Sequence, residues 1–327
     1  MSRRLLTACA LLGVLGGWIT ASPASAADIV IKAGHSAAAT EPYQVGFEHF
    51  KKRVEELTRG KVEVQLFPNR TLGNERDMIE GLLLGTVHVT VPSNAVMAGF
   101  VPETKVFDLP FLFRDRKHMY GVMDGPVGAE LGDKMRGKGF RLLSYYEAGI
   151  RHIMTNKKSL TKLDDLKGLK IRTMENPVHL DAFRAMGASP LPMAYGEVYT
   201  ALQQGVIDGA EAANTNYEAQ KFYEVAPNWA MVAWTTLVSD MIMGEKFFQS
   251  LPADVQKAVV QAAQESARVE REAYARSEDV ALATLKAKGV KITTPDPEPF
   301  RKASQSVYAK FGGPEDQARL KKILDSK

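Results

Sequence analysis

The chain predicts an α/β protein of two domains. Three observations carry this. Strand-like and helix-like segments alternate in two separate blocks, several of the apolar strands end in Gly, Asn or Asp, and one helical run is too long for a single small domain. The first block opens with a strand over residues 29–33, ended by Gly34-His35. Phe47, Phe50, Val54 and Leu57 then recur at helical spacing, with Gly60 as the stop. Residues 61–67 alternate as a strand, 74–84 read as a helix, and 87–91 form a short strand running into Pro92-Ser93-Asn94. A β-α-β-α-β order predicts a mostly parallel sheet covered on both faces, with ligands beyond the carboxyl ends of its strands. Ser93 and Asn94 stand at such an end. Ligand contact and ordinary turn chemistry fit them equally.

Residues 140–146 and 150–156 read as strands flanking a crossing point, and a second α/β block runs on to about Leu237. Within it, Leu169, Ile171, Arg172 and Thr173 form an apolar strand that holds one arginine. A helical run to Gly187 follows, then a Pro-rich connection at Pro190 and Pro192, a second helix ending at Gly205, and a short strand into Asp208-Gly209. Residues 230–243 read as a returning strand. Pro252 then opens a helix that ends before Gly289, with a stripe of Val255, Val259, Ala262, Ser266, Val269 and Ala273. At 1.5 Å per residue it is about 50 Å long, enough to brace both domains. No internal repeat and no low-complexity linker is evident in the sequence. The expected division is a leader over 1–26, a first domain of 27–148 plus 238–277, and a second of 149–237 plus 278–327.

The leader has Arg3 and Arg4, an apolar run over 5–19, and Ala24-Ser25-Ala26, which together read as an export signal cleaved after Ala26. Cys9 is the only cysteine and falls in this leader, so the mature chain is expected to hold no thiol and no disulfide. Losing Arg3 and Arg4 lowers the net charge from +4 to +2, and no basic tract follows. That balance mildly favours anionic ligands and argues against nucleic acid. The six histidines are scattered singly, so no metal site is expected. Nucleotide-binding and hydrolase signatures are missing, so neither a cofactor nor catalysis is expected. Glu147 and His152 are the one candidate acid–base pair for the rival reading of an exported enzyme.

An arginine at a strand end suits a carboxylate, because its planar fork gives two parallel charge-assisted hydrogen bonds. A solvent-facing or domain-internal role also fits Arg172. The segment from Leu169 to Glu211, with Val101-Pro-Glu-Thr-Lys-Val-Phe-Asp-Leu-Pro-Phe-Leu-Phe113, Gly149-Ile-Arg-His152 and Lys221-Phe-Tyr-Glu-Val225, resembles the solute-binding proteins of TRAP (tripartite ATP-independent periplasmic) transporters, the dicarboxylate-binding DctP type. The resemblance spans nearly the whole mature chain. It implies a two-domain, type II-like periplasmic binding protein with crossing hinge strands and a long helix across the back. It also implies capture of a small organic acid and delivery to a TRAP permease in the membrane, by a periplasmic monomer. A sensory binding protein has the same fold and site, so that alternative stays open.

The resemblance makes Arg172 the clamp on a ligand carboxylate and places Arg151 in the same cleft. Relatives usually carry Asn directly after the D-G-x-E run, where this chain has Ala212. Asn214 or Asn216 can stand in for it, or the lost side chain leaves room for a bulkier ligand. Tyr146, at the end of a crossing strand, and Trp234, in the returning one, suit stacking on a ligand and core packing alike. The expected ligand is a monocarboxylate with an aromatic, branched or hydroxylated body rather than a short symmetrical diacid. Glu75 and Arg76, after Leu72-Gly73, are expected to shape the mouth of the first domain.

Overall fold

The computed structural model describes residues 27–326, so the leader and its cleavage position lie outside it. The first block is β1 (Ile29–Gly34), α1 (Pro42–Leu57), β2 (Val62–Phe67), α2 (Glu75–Leu84), β3 (Val89–Thr90) and α3 (Asn94–Met97). A 3-10 segment over Pro102–Asp108 leads to α4 (Arg116–Met123), α5 (Pro126–Gly137) and the long strand β4 (Phe140–Thr155). The second block is β5 (Lys170–Thr173), α6 (Pro177–Ala185), β6 (Ser189–Pro192), α7 (Val198–Gln203), β7 (Gly209–Ala212) and α8 (Asn214–Ala219). The chain returns on β8 (Asn228–Gly244) and closes with α9 (Glu245–Ser250), α10 (Ala253–Ala287), β9 (Lys291–Thr293), α11 (Glu298–Ala309) and α12 (Pro314–Asp325).

One sheet runs through the described residues in the order β2-β1-β3-β8-β4-β7-β5-β6, with β9 beside β8. β1 is parallel to β2 and β3, and β5 is parallel to β6 and β7. β8 and β4, antiparallel to each other, join the two sets at the centre. Each half therefore repeats a 2-1-3 strand order, a repeat of topology that the sequence does not advertise. It extends to local detail. Gly85 and Gly205 both end a helix at positive φ. Downstream, His88 and Asp208 each donate a backbone N–H to Lys32 or Lys170, and their side chains accept the N–H of that same lysine at 3.0 Å.

Two elements differ from expectation. Residues 140–155 form one continuous strand rather than two, because β8 pairs along its full length, with register shifts near Glu147/Ile150 and Arg151/Ile153. The Pro-rich connection is itself the strand β6. It lies at the sheet edge, where Pro190 and Pro192 sacrifice no ladder donors on the open side.

Core packing groups the halves. α1, β1, β2 and the first half of α10 share one apolar cluster around Phe47, Phe50 and Val259. The stretch from Val106 to Leu131 packs with Ile171, Phe183 and Phe300 in another, so these helices bury their apolar sides with second-half elements although they precede the crossing strands. The 35-residue α10 crosses behind both halves. Its Glu270 accepts the N–H of Glu147, and its Glu278 accepts the N–H of Ile150. Between these two lies Gly149, at φ 78°, where an added Cβ would sit 2.5 Å from the Tyr274 ring. Only glycine lets the crossing strand lie this close to the helix.

Candidate functional site

The carboxyl ends of the parallel strands from both halves open onto one cavity of about 260 Å³. The second half supplies its two buried cations, while the more exposed Arg76 of α2 lines the cavity from the first half. Arg172 leaves β5 and Arg151 leaves β4, both buried, and both reach the carboxylate of Glu211 on β7. The Arg151 Nε donates to Glu211 Oε2 at 2.7 Å, and the Arg172 Nη1 donates to Oε1 at 3.3 Å. Burial works against all three charges, yet the two guanidiniums outweigh it and hold Glu211 below the usual carboxylate range. Sharing is unequal. Burial works against both arginines, but Glu211 carries Arg151 above its ordinary value while Arg172 is left lowered.

Donor bookkeeping gives the same asymmetry. A guanidinium has five N–H groups. Arg151 spends four, on both Glu211 side-chain and main-chain oxygens, Ala148 O and Asn216 Oδ1. Arg172 spends three, two of them on Met193 O and one on Glu211. Two buried cations over one anion leave a net positive charge, and Arg172 has the donors to spare.

The first half supplies acceptors and hydroxyls. Glu75 opens α2 and turns its carboxylate into the cavity, held by Ser36 Oγ at 2.9 Å and by the N–H and Oγ of Ser93 at 3.2 and 2.7 Å. Glu41, just ahead of α1, lines the wall beside Asn216. Tyr195 lines the second-half wall, and its hydroxyl is buried with no partner among the described residues. Burial raises it well above the ordinary tyrosine value, so it stays protonated. Tyr43, Met174, Leu237 and Tyr274 add apolar surface.

The structure brings Arg172, Arg151, Ser93 and Asn216 to the cavity wall and keeps four expected residues off it. Tyr146 is wholly buried, hydrogen-bonded to Ser266 on α10 and packed edge-on to Tyr43 and Phe47. Trp234 packs against His179 and Phe183 in the second core. Asn94 turns inward to donate to Thr104 O. Ala212 lies among Met154, Tyr217 and Trp229, so the space it leaves belongs to the core. Between the two candidate replacements for its amide, Asn216 reaches the site while Asn214 is held by the Trp229 indole. Glu147 and His152 are apart in function: Glu147 is bound by Arg116 and Tyr120, and His152 accepts the N–H of Ala233 and, pushed down to about 3 by burial and Arg151, stays neutral.

Glu211, Glu41 and Tyr195 were not legible as site residues. Glu211 carried a usable signal, being one acid inside the small-residue strand Gly209–Ala212, the same anomaly that marks Arg172.

The model of the bacterial extracellular solute-binding protein family 7, DctP, matches residues 33–313. A TRAP periplasmic solute-binding protein from Polaromonas sp. JS666, bound to D-erythronate, is 35% identical, with TM-score 0.89 over 91% of this chain and 99% of that one. One from Sulfurospirillum deleyianum with bound succinate is 39% identical, with TM-score 0.88 over 92% and 100%. One from Sulfitobacter sp. NAS-14.1 with bound β-D-galacturonate is 30% identical, with TM-score 0.88 over 91% and 100%. With its paired 2-1-3 half-sheets, its crossing strands and its arginine-lined cavity, the chain belongs to the DctP family of TRAP periplasmic solute-binding proteins.

Proposed function

We propose that this protein captures a hydroxylated monocarboxylate of the sugar-acid class outside the cytoplasmic membrane and passes it to its TRAP membrane partner. The observation that carries the reading is the charge pattern of the cavity. Arg172 and Arg151 share only Glu211, leaving one buried positive charge with free donors on Arg172, while the opposite wall holds the Glu75 carboxylate. One ligand carboxylate neutralises the first wall. A second carboxylate at the other wall would meet the carboxylate of Glu75 with only the more exposed Arg76 to offset it, whereas hydroxyl groups donate to Glu75 and pair with the Tyr195 hydroxyl. A cavity of about 260 Å³ has room for a small organic acid. Relatives bound to D-erythronate and to galacturonate support this class.

Binding in micromolar range requires about −8 kcal/mol. Two charge-assisted bonds from Arg172 at ~1.5–3 kcal/mol each, with hydroxyl contacts and closure, reach that order after ordering costs. Closure brings the halves together about the crossing strands near Gly149. Residues 1–26 act as the cleaved export signal in this reading.

The test is a thermal-shift screen of refolded, ligand-stripped protein beginning at Ala27. The panel contains D-erythronate, D-galacturonate, D-galactonate, succinate and the amides of the sugar acids. A ligand at 100 times its Kd stabilises the native state by about 2.7 kcal/mol. Stabilisation by the sugar acids, absent for the amides and lost in Arg172→Ala, is the expected result. Succinate alone stabilising the protein, or amides that work as well as acids, overturns the sugar-acid reading.

A further inference from the structure

We propose that Asn216 and Glu41 form a latch across the cleft that ties closure to the arginine site. The inference rests on the cleft between Arg172 and Glu75 being the ligand site, and it assigns roles to residues that do not hold the carboxylate. Glu41 belongs to the first half, Asn216 to α8 of the second. The Arg151 Nη1 donates to Asn216 Oδ1 at 2.9 Å, and the Asn216 Nδ2 donates to Glu41 Oε2. On its own side, Glu41 Oε1 accepts the N–H of Ala38 at 2.7 Å, and Gln220, one turn along from Asn216, donates to the same oxygen at 3.4 Å.

An amide between a cation and an anion has one favoured orientation, oxygen toward the cation and NH₂ toward the anion. Asn216 is held this way by Arg151 and Glu41, so its bond to each supports its bond to the other. The chain Arg172–Glu211–Arg151–Asn216–Glu41 thereby runs from the free clamp donors to the opposite lip through two buried and two partly buried hydrogen bonds. Other contacts also join the halves. Asn176 donates to Ala95 O at 3.0 Å, Arg76 stands 3.9 Å from Glu175, both partly exposed, and Arg70 donates to Gln220 at 3.5 Å, but none of these touches a site arginine. The Glu41–Asn216 bond is the cross-cleft contact whose acceptor is buried and whose donor is also bonded to a site arginine. Glu41 is thus a positioning residue: it acts on Arg151 through Asn216, and on closure by joining the halves.

The polarity of this bond makes it testable by inversion. Asn216→Asp keeps an acceptor for Arg151 but sets a carboxylate against Glu41. Adding Glu41→Gln restores a donor–acceptor pair with the polarity reversed. The mature chain lacks cysteine, so one spin label on each half, at positions introduced on the exposed faces of α2 and α7, reports closure directly. Distances are measured at pH 8 on protein beginning at Ala27, ligand-free and with D-erythronate or D-galacturonate, beside melting curves and titration calorimetry. Asn216→Asp is expected to lower the closed population and to weaken acid binding at least tenfold. The Glu41→Gln/Asn216→Asp double variant is expected to recover most of both, while Glu41→Gln alone shows an intermediate loss. A single variant that closes and binds like the parent, or a double variant that recovers nothing while melting like the parent, overturns the latch. Should neither acid move the labels in the parent, the ligand reading fails separately. The latch is then judged on the ligand-free closed population, where equal values in parent and Asn216→Asp overturn it.

Discussion

The two halves share a frame and divide the chemistry. In both, a helix ends at a left-handed glycine, and the next residue but two caps the first strand's backbone through its side chain, His88 onto Lys32 and Asp208 onto Lys170. Both then present strand ends to the same cavity. At those ends the second half sets Arg172, Arg151 and Glu211, and the first sets Ser36, Glu75 and Ser93. The frame depends on main-chain hydrogen bonds and tolerates many side chains. The chemistry depends on a few charged side chains, so in the proposed reading the same frame serves as an anion receptor on one side and a hydroxyl receptor on the other.

The comparison breaks most severely at Arg172. Arg172→Ala removes the spare donors while leaving Arg151 paired with Glu211, so the fold should persist and acid binding should fall by about 3–6 kcal/mol, read by titration calorimetry. Unchanged affinity would move the clamp elsewhere. Glu211→Gln next leaves two buried guanidiniums without an anion. Urea unfolding should show a loss of about 3–5 kcal/mol, far more than the same exchange at the half-exposed Glu75. Equal losses would show that the second half is not organised around its acid.

Glu75→Gln sharpens the division instead. Sugar-acid affinity is expected to fall about tenfold, ~1.4 kcal/mol, and the preference over succinate to shrink, because the carboxylate opposing a second acid is gone. A variant with undiminished preference would remove Glu75 from the selection.

A contrast that depends on pH concerns Asp108, buried behind the site and bonded to Asn176, which caps α6. Burial pushes its carboxyl up to about 7. The folded form therefore keeps a proton that the unfolded chain releases near pH 4. Its stabilising contribution is complete below that pH and is lost as pH rises toward 7, at about 1.4 kcal/mol per unit. Asp108→Asn lacks this loss, so its stability relative to the parent should rise between pH 4 and 7 and level off above. A pH-independent difference would show that Asp108 is ionised throughout.

Much of the frame was legible because local rules write it. Period-two alternation marks β2, helical spacing marks α1, and the length of α10 requires that it cross both halves. Arg172 stood out because a charge in a short apolar strand is costly unless paired, and the family resemblance then gave it the clamp role. Tyr146 and Trp234 misled for the converse reason: an aromatic near a predicted cleft has the same local signature whether it faces the ligand or the core, and here α10 and α6 cover them.

By itself, then, the sequence determined the alternation of elements and the long brace, and it singled out Arg172 as a charge inside an apolar strand. These follow from periodicity and the cost of burying charge, all properties of short segments. Only the tertiary structure decided that Glu211 joins Arg172 to Arg151, that Asn216 rather than Asn214 reaches them, and that Glu75 and Glu41 face them from the other half. Those residues are tens to hundreds of positions apart, and the sheet order that brings their strand ends to one cavity depends on how the central pair β4 and β8 cross, which no local pattern encodes.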